Sequence, residues 1–293
     1  MAFKLPQLEG TIPGGNEVQD IIYFGCDYNY FDRHGIALAK SINYTLGWIH
    51  VHCHLILSPG QEKMIDTMYV HPNFTYTYEI VTEDFYKDMI KNKHKMRDGM
   101  SIFKTNDLDF IAKRTYLASC RFMRLQQIFK NPYQCILQLD CDTILKNGFH
   151  QSQFRDIANH VGVMPKPKDP ATFIASALTL GTGPSGLQFR ELFANRLIEG
   201  FKKGVYWYID QDVLKNVIRE WVVDLEYSYI KIPYTWNSWG QKRHDIFSTG
   251  KGSKKDDRRF KSAQLRWVPS HWRKPLEDDI RREATKAGLQ GHG

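Results

Sequence analysis

Ile136-Leu137-Gln138-Leu139-Asp140-Cys141-Asp142 is an apolar run of strand length that ends in two carboxylates. Side chains at i and i+2 of an extended chain point to the same side, so Asp140 and Asp142 share a face. Two hard oxygen donors at the C-terminal end of a strand suit a divalent cation and, through it, a diphosphate. Asp-x-Asp by itself is a common chance pairing. Its place directly after a buried-strand pattern favours metal binding over the alternatives, a loop cap or a salt bridge.

Upstream, Phe110 through Phe129 has helical spacing and leads into this strand. Earlier still, Ile21-Ile22-Tyr23-Phe24 reads as a first strand, Gly25 to Tyr30 as a loop, and Ile36, Leu38, Ala39, Ile42 and Leu46 as a helix face. Trp48 to Leu57 and Phe74 to Tyr78 give two more strands, and the lysine-rich stretch 84–106 is expected as a mobile excursion over a site. Downstream, the apolar run Phe173 to Leu180 is broken by Gly181-Thr182-Gly183-Pro184. Helical patterns follow at Phe189–Phe201 and Asp210–Trp221. Strands alternating with helices predict an α/β protein with a mainly parallel central sheet, which binds ligands at the carboxyl ends of its strands. Asp27 and Asp140 both follow strands, so both are expected at that edge.

The chain has 293 residues, 42% of them hydrophobic, enough for one large domain with small appendages. The expected division is an irregular lead-in over 1–18, the main domain over 19–262 and a charged tail over 263–293. No apolar run reaches the ~20 residues of a membrane span, and the first residues lack a secretory pattern, so the expected location is cytoplasmic. Five cysteines without Cys-x-x-Cys spacing read as reduced thiols. The net charge is +8, with lysines and arginines concentrated after residue 250. That balance suits a phosphate-bearing ligand, an acidic glycan, nucleic acid or an anionic membrane, and equally a solvated basic face.

Several short motifs occur in order: Asp27-Tyr28-Asn29-Tyr30, Ala39-Lys40-Ser41, Arg121-Phe122, Leu139 to Asp142, Asp210-Gln211-Asp212 and Gly250-Lys251-Gly252. Together, from about residue 20 to about 262, they resemble the GT-A-fold glycosyltransferases of family 8, the glycogenin and lipopolysaccharide galactosyltransferase type. The resemblance implies a GT-A (Rossmann-like) nucleotide-diphospho-sugar transferase fold, a Mn2+ or Mg2+ ion, a nucleotide-sugar donor that is UDP-linked, and retention of anomeric configuration. It implies that Asp140 reaches ribose and metal, that Asp142 ligates the metal, and that Asp27, Asn29 and Tyr30 form the base pocket. Arg121, Asp210, Gln211 and Asp212 fall at the donor sugar, and Lys251 and Lys255 at the phosphates. The family's late histidine ligand is missing: with Gly250 on the motif glycine Phe247 takes its position, and with Gly252, the preferred pairing because Lys255 then falls on the motif lysine, Thr249 does. His244 and His271 are then the nearby candidates for a third metal ligand.

Each residue also has a plainer reading. Asp27 and Asn29 are common caps. Arg121 has rivals in Arg114 and Arg124. Asp210 and Asp212 suit a helix N-terminus. His50, His52 and His54 share one strand face, where packing is commoner than zinc binding. Trp236 and Trp239 are either core residues or a platform for an acceptor sugar. Two other functions compete. A sugar nucleotidyltransferase would open with a glycine-rich basic loop after the first strand, where this chain has Gly25-Cys26-Asp27-Tyr28-Asn29-Tyr30. A non-catalytic glycan- or nucleic-acid-binding protein would use the late basic segment without any need for the acidic motifs. The expected partners are a nucleotide-sugar and a glycan, lipid or protein acceptor.

Overall fold

The computed structural model describes residues 3–14, 20–89, 104–166, 169–250 and 256–290. Its strands are β1 (Glu9–Gly10), β2 (Asp20–Asp27), β3 (His50–Leu57), β4 (Phe74–Ile80), β5 (Cys135–Leu139), β6 (Thr143–Leu145), β7 (Val161–Lys166), β8 (Asp169–Leu180), β9 (Ile230–Lys231) and β10 (Phe247–Thr249). Eight of them form one sheet in the order β1-β4-β3-β2-β5-β8-β7-β9. The pairs β4/β3, β3/β2, β2/β5 and β7/β9 are parallel, and β1/β4, β5/β8 and β7/β8 antiparallel. The chain runs outward from β2 through β3 to β4, then returns to place β5 on the other side of β2. The switch point of the sheet therefore lies between β2 and β5, where open α/β sheets bind ligands.

The helices are α1 (Tyr28–Tyr30), α2 (Ile36–Asn43), α3 (Ile65–Met68), α4 (Glu83–Met89), α5 (Leu108–Met123), α6 (Leu125–Ile128), α7 (Gln151–Ala158), α8 (Gly183–Lys203), α9 (Ile209–Val223), α10 (Arg258–Leu265) and α11 (Ser270–Gln290). They cover both faces of the sheet, which is why β2, β3 and β5 are buried along nearly their whole length, including the alternating histidines of β3. One core packs α5, α8 and α9 on Ile21, Tyr23 and Ile136; the other packs α2 and α7 on Ile22, Phe24, Leu137 and Leu139. No described helix is long and apolar enough to cross a membrane.

Several boundaries differ from the sequence reading; β8 begins at Asp169 rather than Phe173, and α8 at Gly183 rather than Phe189. Gly25-Cys26-Asp27, expected in a loop, belongs to β2, because β3 continues beside it as far as the pair Asp27↔Ile56. A Cβ on Gly25 would come within 2.8 Å of Arg121 Cβ, so glycine lets α5 lie directly on the sheet. Trp48 precedes β3 rather than starting it, its ring packed edge-on against Phe149 and Phe154. The lead-in is not wholly irregular: β1 pairs with β4, and Phe3 packs against Phe85 and Phe201. Of the stretch 84–106, residues 84–89 lie in α4, and 90–103 are outside the described residues, as are Lys251 and Lys255.

A separate ribbon matters for the site. β10 pairs antiparallel with β6, with Thr249 opposite Thr143, and so returns the late chain to the Asp-x-Asp turn. Beyond it, α10 and α11 pack through Phe260, Val268, Trp267, Trp272 and Leu276 on Ala37 and Ile144.

Candidate active site

β2 ends at Asp27, whose Oδ1 accepts the Tyr30 N–H at 2.8 Å and caps α1. That turn sends the Tyr30 ring across the switch point, where its hydroxyl donates to Asp142 Oδ2 at 2.7 Å. On the next strand, Asp140 Oδ1 accepts from Arg121 Nη2 at 2.6 Å, and the same nitrogen lies 3.2 Å from the Ala175 carbonyl. The Asp-x-Asp turn is fixed from both flanks. Asp140 N–H donates to Ser176 O at 3.0 Å, while Gly250 N–H (2.7 Å) and Thr249 Oγ1 (3.2 Å) donate to Asp142 O.

Burial works against the charge on Arg121, but the carboxylates of Asp140 and Asp210 outweigh it and hold its pKa above the ordinary guanidinium value. Burial, reinforced by the Asp142 carboxylate, pushes the Tyr30 phenol far above its ordinary value, so it stays a hydrogen-bond donor. Asp210 stands in the first turn of α9, where a carboxylate also complements the helix dipole. Before it, Tyr208 adopts a left-handed backbone (φ 72°), held there as its carbonyl accepts from Gln211 and Asp212 N–H at 3.0 Å each. Such strain in a bulky residue clusters at functional sites.

These groups line a cavity of ≈ 540 Å³ at the carboxyl ends of β2 and β5. Asp27, Tyr30, Arg121, Asp140, Asp142, Asp210 and Gln211 meet there, together with Arg114, Trp207, Tyr208 and Trp239. A second cavity of ≈ 320 Å³ adjoins it, with Asn29, Ser58, Gln61, Tyr86 and Lys113 in its walls; Asp27, Arg114 and Leu117 border both. Of the expected base pocket, Asn29 faces the smaller cavity only and Tyr30 the larger only.

Other expected residues lie elsewhere. His244 sits on an exposed turn past the far end of the β6/β10 ribbon. Its neighbours Arg243 and Asp245 accept through their carbonyls from Asn147, beyond Leu145, whereas Asp142 precedes Thr143 at the opposite end. His271 is paired with Asp32 Oδ2 at 2.9 Å. Neither histidine is brought to Asp142; Thr249 is, with its hydroxyl 2.9 Å from Thr143 Oγ1. Asp212 faces Tyr206, whose phenol is pushed up to about 12 by burial and then by that carboxylate. Trp236 is buried against Phe149, so only Trp239 of the tryptophan pair reaches the cavity.

His52 and His54 are fully buried and pair with Thr75 and Thr77 of β4. Among the described residues, His54, Glu79 and Cys120 lie close enough to share a cation. Glu79 is already neutralised by Arg124 (Nε to Oε2, 2.8 Å) and bonded by the Tyr116 hydroxyl, so that cluster is closed without one. The donors at the cleft, the Asp140 and Asp142 carboxylates, are oxygen, which fits a hard divalent cation. The Cys141 thiol is buried, 3.8 Å from the Tyr30 carbonyl, and all five cysteines are free thiols.

Sequence reasoning missed the hydroxyl contact of Tyr30 and the strained backbone of Tyr208, neither of which leaves a pattern in sequence. The position of Arg114 was readable: it stands seven residues, two helical turns, before Arg121 on α5.

No protein-family model matches the chain, and no curated protein matches it in sequence. Solved structures do match in fold. The bifunctional glycosyltransferase WbbM, in its apo form, superposes with a TM-score of 0.54 at 13% identity over 91% of this chain. The chain spans about half of that protein's length, 52%. The galactosyltransferase LgtC, in complex with donor and acceptor sugar analogues, superposes with a TM-score of 0.50 at 14% identity, over 86% of this chain and 99% of LgtC. With its switch point between β2 and β5 and its Asp-x-Asp turn at that edge, the chain has the GT-A fold of these glycosyltransferases.

Proposed function

We propose that this protein is a glycosyltransferase that moves a sugar from a UDP-linked donor to a glycan, lipid or protein acceptor, with retention of anomeric configuration. One observation carries the reading: Asp140, Asp142, Arg121 and Asp210 converge on a single cavity at the sheet's switch point, with a second cavity adjoining it. The smaller cavity, with Asp27 and Asn29, takes the nucleotide base. The larger takes the diphosphate and sugar. Arg121, Asp210 and Gln211 offer charge and hydrogen bonds to sugar hydroxyls, and Trp207, Tyr208 and Trp239 offer ring faces to its C–H surface. Lys251 and Lys255 belong to the phosphate contacts in this reading. Retention rests on the order of the motifs.

Asp140 and Asp142 would hold a manganese or magnesium ion, which supplies charge stabilisation at a leaving diphosphate. The chain's own work is to fix the donor and to keep water from the sugar's reacting carbon. No nucleophile is assigned.

Calorimetric titration with UDP, GDP, CDP and ADP, each with and without Mn2+, tests the reading. UDP is expected to bind tightly only with the metal, and Asp142→Asn to lose that binding. No metal-dependent nucleotide binding would overturn it, and so would pyrophosphate release from a nucleoside triphosphate and a sugar phosphate, the mark of nucleotidyl transfer.

A further inference from the structure

The C-terminal helices grip three successive residues of the turn that carries Tyr30. Trp272 Nε1 on α11 donates to Asp32 Oδ2 at 2.8 Å, an oxygen also 2.9 Å from His271 Nε2. The Arg33 guanidinium lies over the Trp272 ring, 5.6 Å from its centroid. His34 Nδ1 is 3.0 Å from the Gln264 amide of α10, and both residues are buried. The turn itself, Phe31–Gly35, is π-helical, a rare geometry that is frequent at functional sites. It closes so tightly that a Cβ on Gly35 would stand 2.5 Å from the Phe31 ring. From there the contact continues inward. The Tyr30 and His34 rings are 4.7 Å apart, and the Tyr30 hydroxyl holds Asp142 Oδ2.

We infer that α10 and α11 are part of the cation-and-donor site: through Asp32, Arg33 and His34 they hold Tyr30 so that its hydroxyl fixes the Asp142 carboxylate. Tyr30, and behind it Trp272, are positioning residues. This rests on the reading of Asp140 and Asp142 as cation donors. A hydrogen bond that orients a ligating carboxylate governs affinity as the ligand itself does, because the free carboxylate must otherwise be ordered on binding. The helices thus have a role beyond covering Ala37 and Ile144.

The test is Mn2+ affinity of the full chain with saturating UDP, read from the paramagnetic resonance of free Mn2+, together with amide exchange over residues 28–36. Tyr30→Phe is expected to weaken Mn2+ about tenfold. Trp272→Phe, which keeps the ring and loses the donor, is expected to weaken it about threefold and to speed exchange over 28–36. The double variant should be no weaker than Tyr30→Phe alone, since Trp272 acts through Tyr30. Asp32→Ala, a second way to release the turn, should match Trp272→Phe. Wild-type affinity in both Trp272→Phe and Asp32→Ala, or effects that multiply in the double variant, would overturn the inference while leaving the cation reading intact. Failure of the wild type to bind Mn2+ at all would overturn the cation reading, and this inference with it.

Discussion

Arg121 shows how one side chain joins stability to the site. It is 7% exposed, and its charge is answered by Asp140 and Asp210. Arg121→Met would leave Asp140 beside a buried gap with no counter-charge, and is expected to cost about 3 kcal/mol of stability, measured by urea unfolding. Asp142→Asn is the contrasting case. Asparagine keeps the shape and still accepts from Tyr30, so stability should change by less than about 0.5 kcal/mol. Transfer rate, however, should fall at least about 100-fold, as when a group serving the developing charge is removed. An Asp142→Asn enzyme with the wild-type initial rate would rule out the assigned role. At this scale the sequence was informative about which residues meet rather than how: β5 ends at Leu139, so Asp140 and Asp142 line one cavity from the turn that follows the strand and not through strand period. It was silent where the partner is remote, as with Tyr30 and Asp142, 112 residues apart. Asp27 caps α1, as its plainer reading expects, and it also borders both cavities.

Between β3 and β4 the hydrogen bonds form a ladder whose direction can be deduced. His50 Nε2 and His52 Nδ1 each lie 2.8 Å from Thr75 Oγ1; His52 Nε2 and His54 Nδ1 each lie 3.1 Å from Thr77 Oγ1; His54 Nε2 faces Glu79 at 3.6 Å. Glu79, ionised against Arg124, favours a proton on His54 Nε2, which leaves Nδ1 to accept from Thr77. Thr77 has one proton to give, and so it accepts from His52 Nε2; the same step repeats through Thr75 to His50. His50 and His52 then carry their proton on Nε2. Thr77→Val should leave His54 fixed but let His50, which it does not touch, populate both tautomers, visible in 15N shifts of the rings. A single unchanged tautomer at His50 would show that the ladder has no direction. The same burial sets a pH dependence. His50 is lowered to about 4 and His52 is lowered well below the ordinary imidazole value, first by desolvation and then by their neighbours. The unfolded chain therefore takes up protons that the folded one refuses as pH falls below about 6.5, and stability should drop by about 1.4 kcal/mol per pH unit for each such histidine. Unfolding free energies at pH 7, 6 and 5 that lie level would contradict this. The three histidines were legible as one strand face. Their partners were not, because the register His52↔Thr75 and His54↔Thr77 depends on how two strands align in space.

Across the whole molecule, the cleft draws on β2, α5, β5, β8 and α9, while the ends of the chain dock away from one another. α10 and α11 lie behind the Tyr30 turn, and the N-terminal segment covers the β4 edge. The sequence before residue 19 mixes prolines and glycines with scattered apolar and polar residues, too short a stretch for periodicity to register. In the fold, Phe3, Leu5 and Leu8 pack against the core beside α5, Thr11 N–H donates to Tyr76 O at 2.9 Å, and Arg124 donates to Pro6 O at 2.7 Å. The segment therefore caps a sheet edge and completes the surroundings of the guanidinium that neutralises Glu79. Three partly buried apolar side chains are worth about 1 kcal/mol each. Removing residues 1–14 should then cost about 3 kcal/mol, a fall of about 6–12 °C in Tm for a chain of this size. An uncovered β4 should also promote association between chains. Affinity for Mn2+ and UDP should stay within about twofold of the full chain, because the cleft opens at the switch point, two strands in from β4. Scanning calorimetry and light scattering on the shortened chain check both effects. An unchanged Tm with a monomeric species would mean that the docked segment contributes nothing to the sheet it covers.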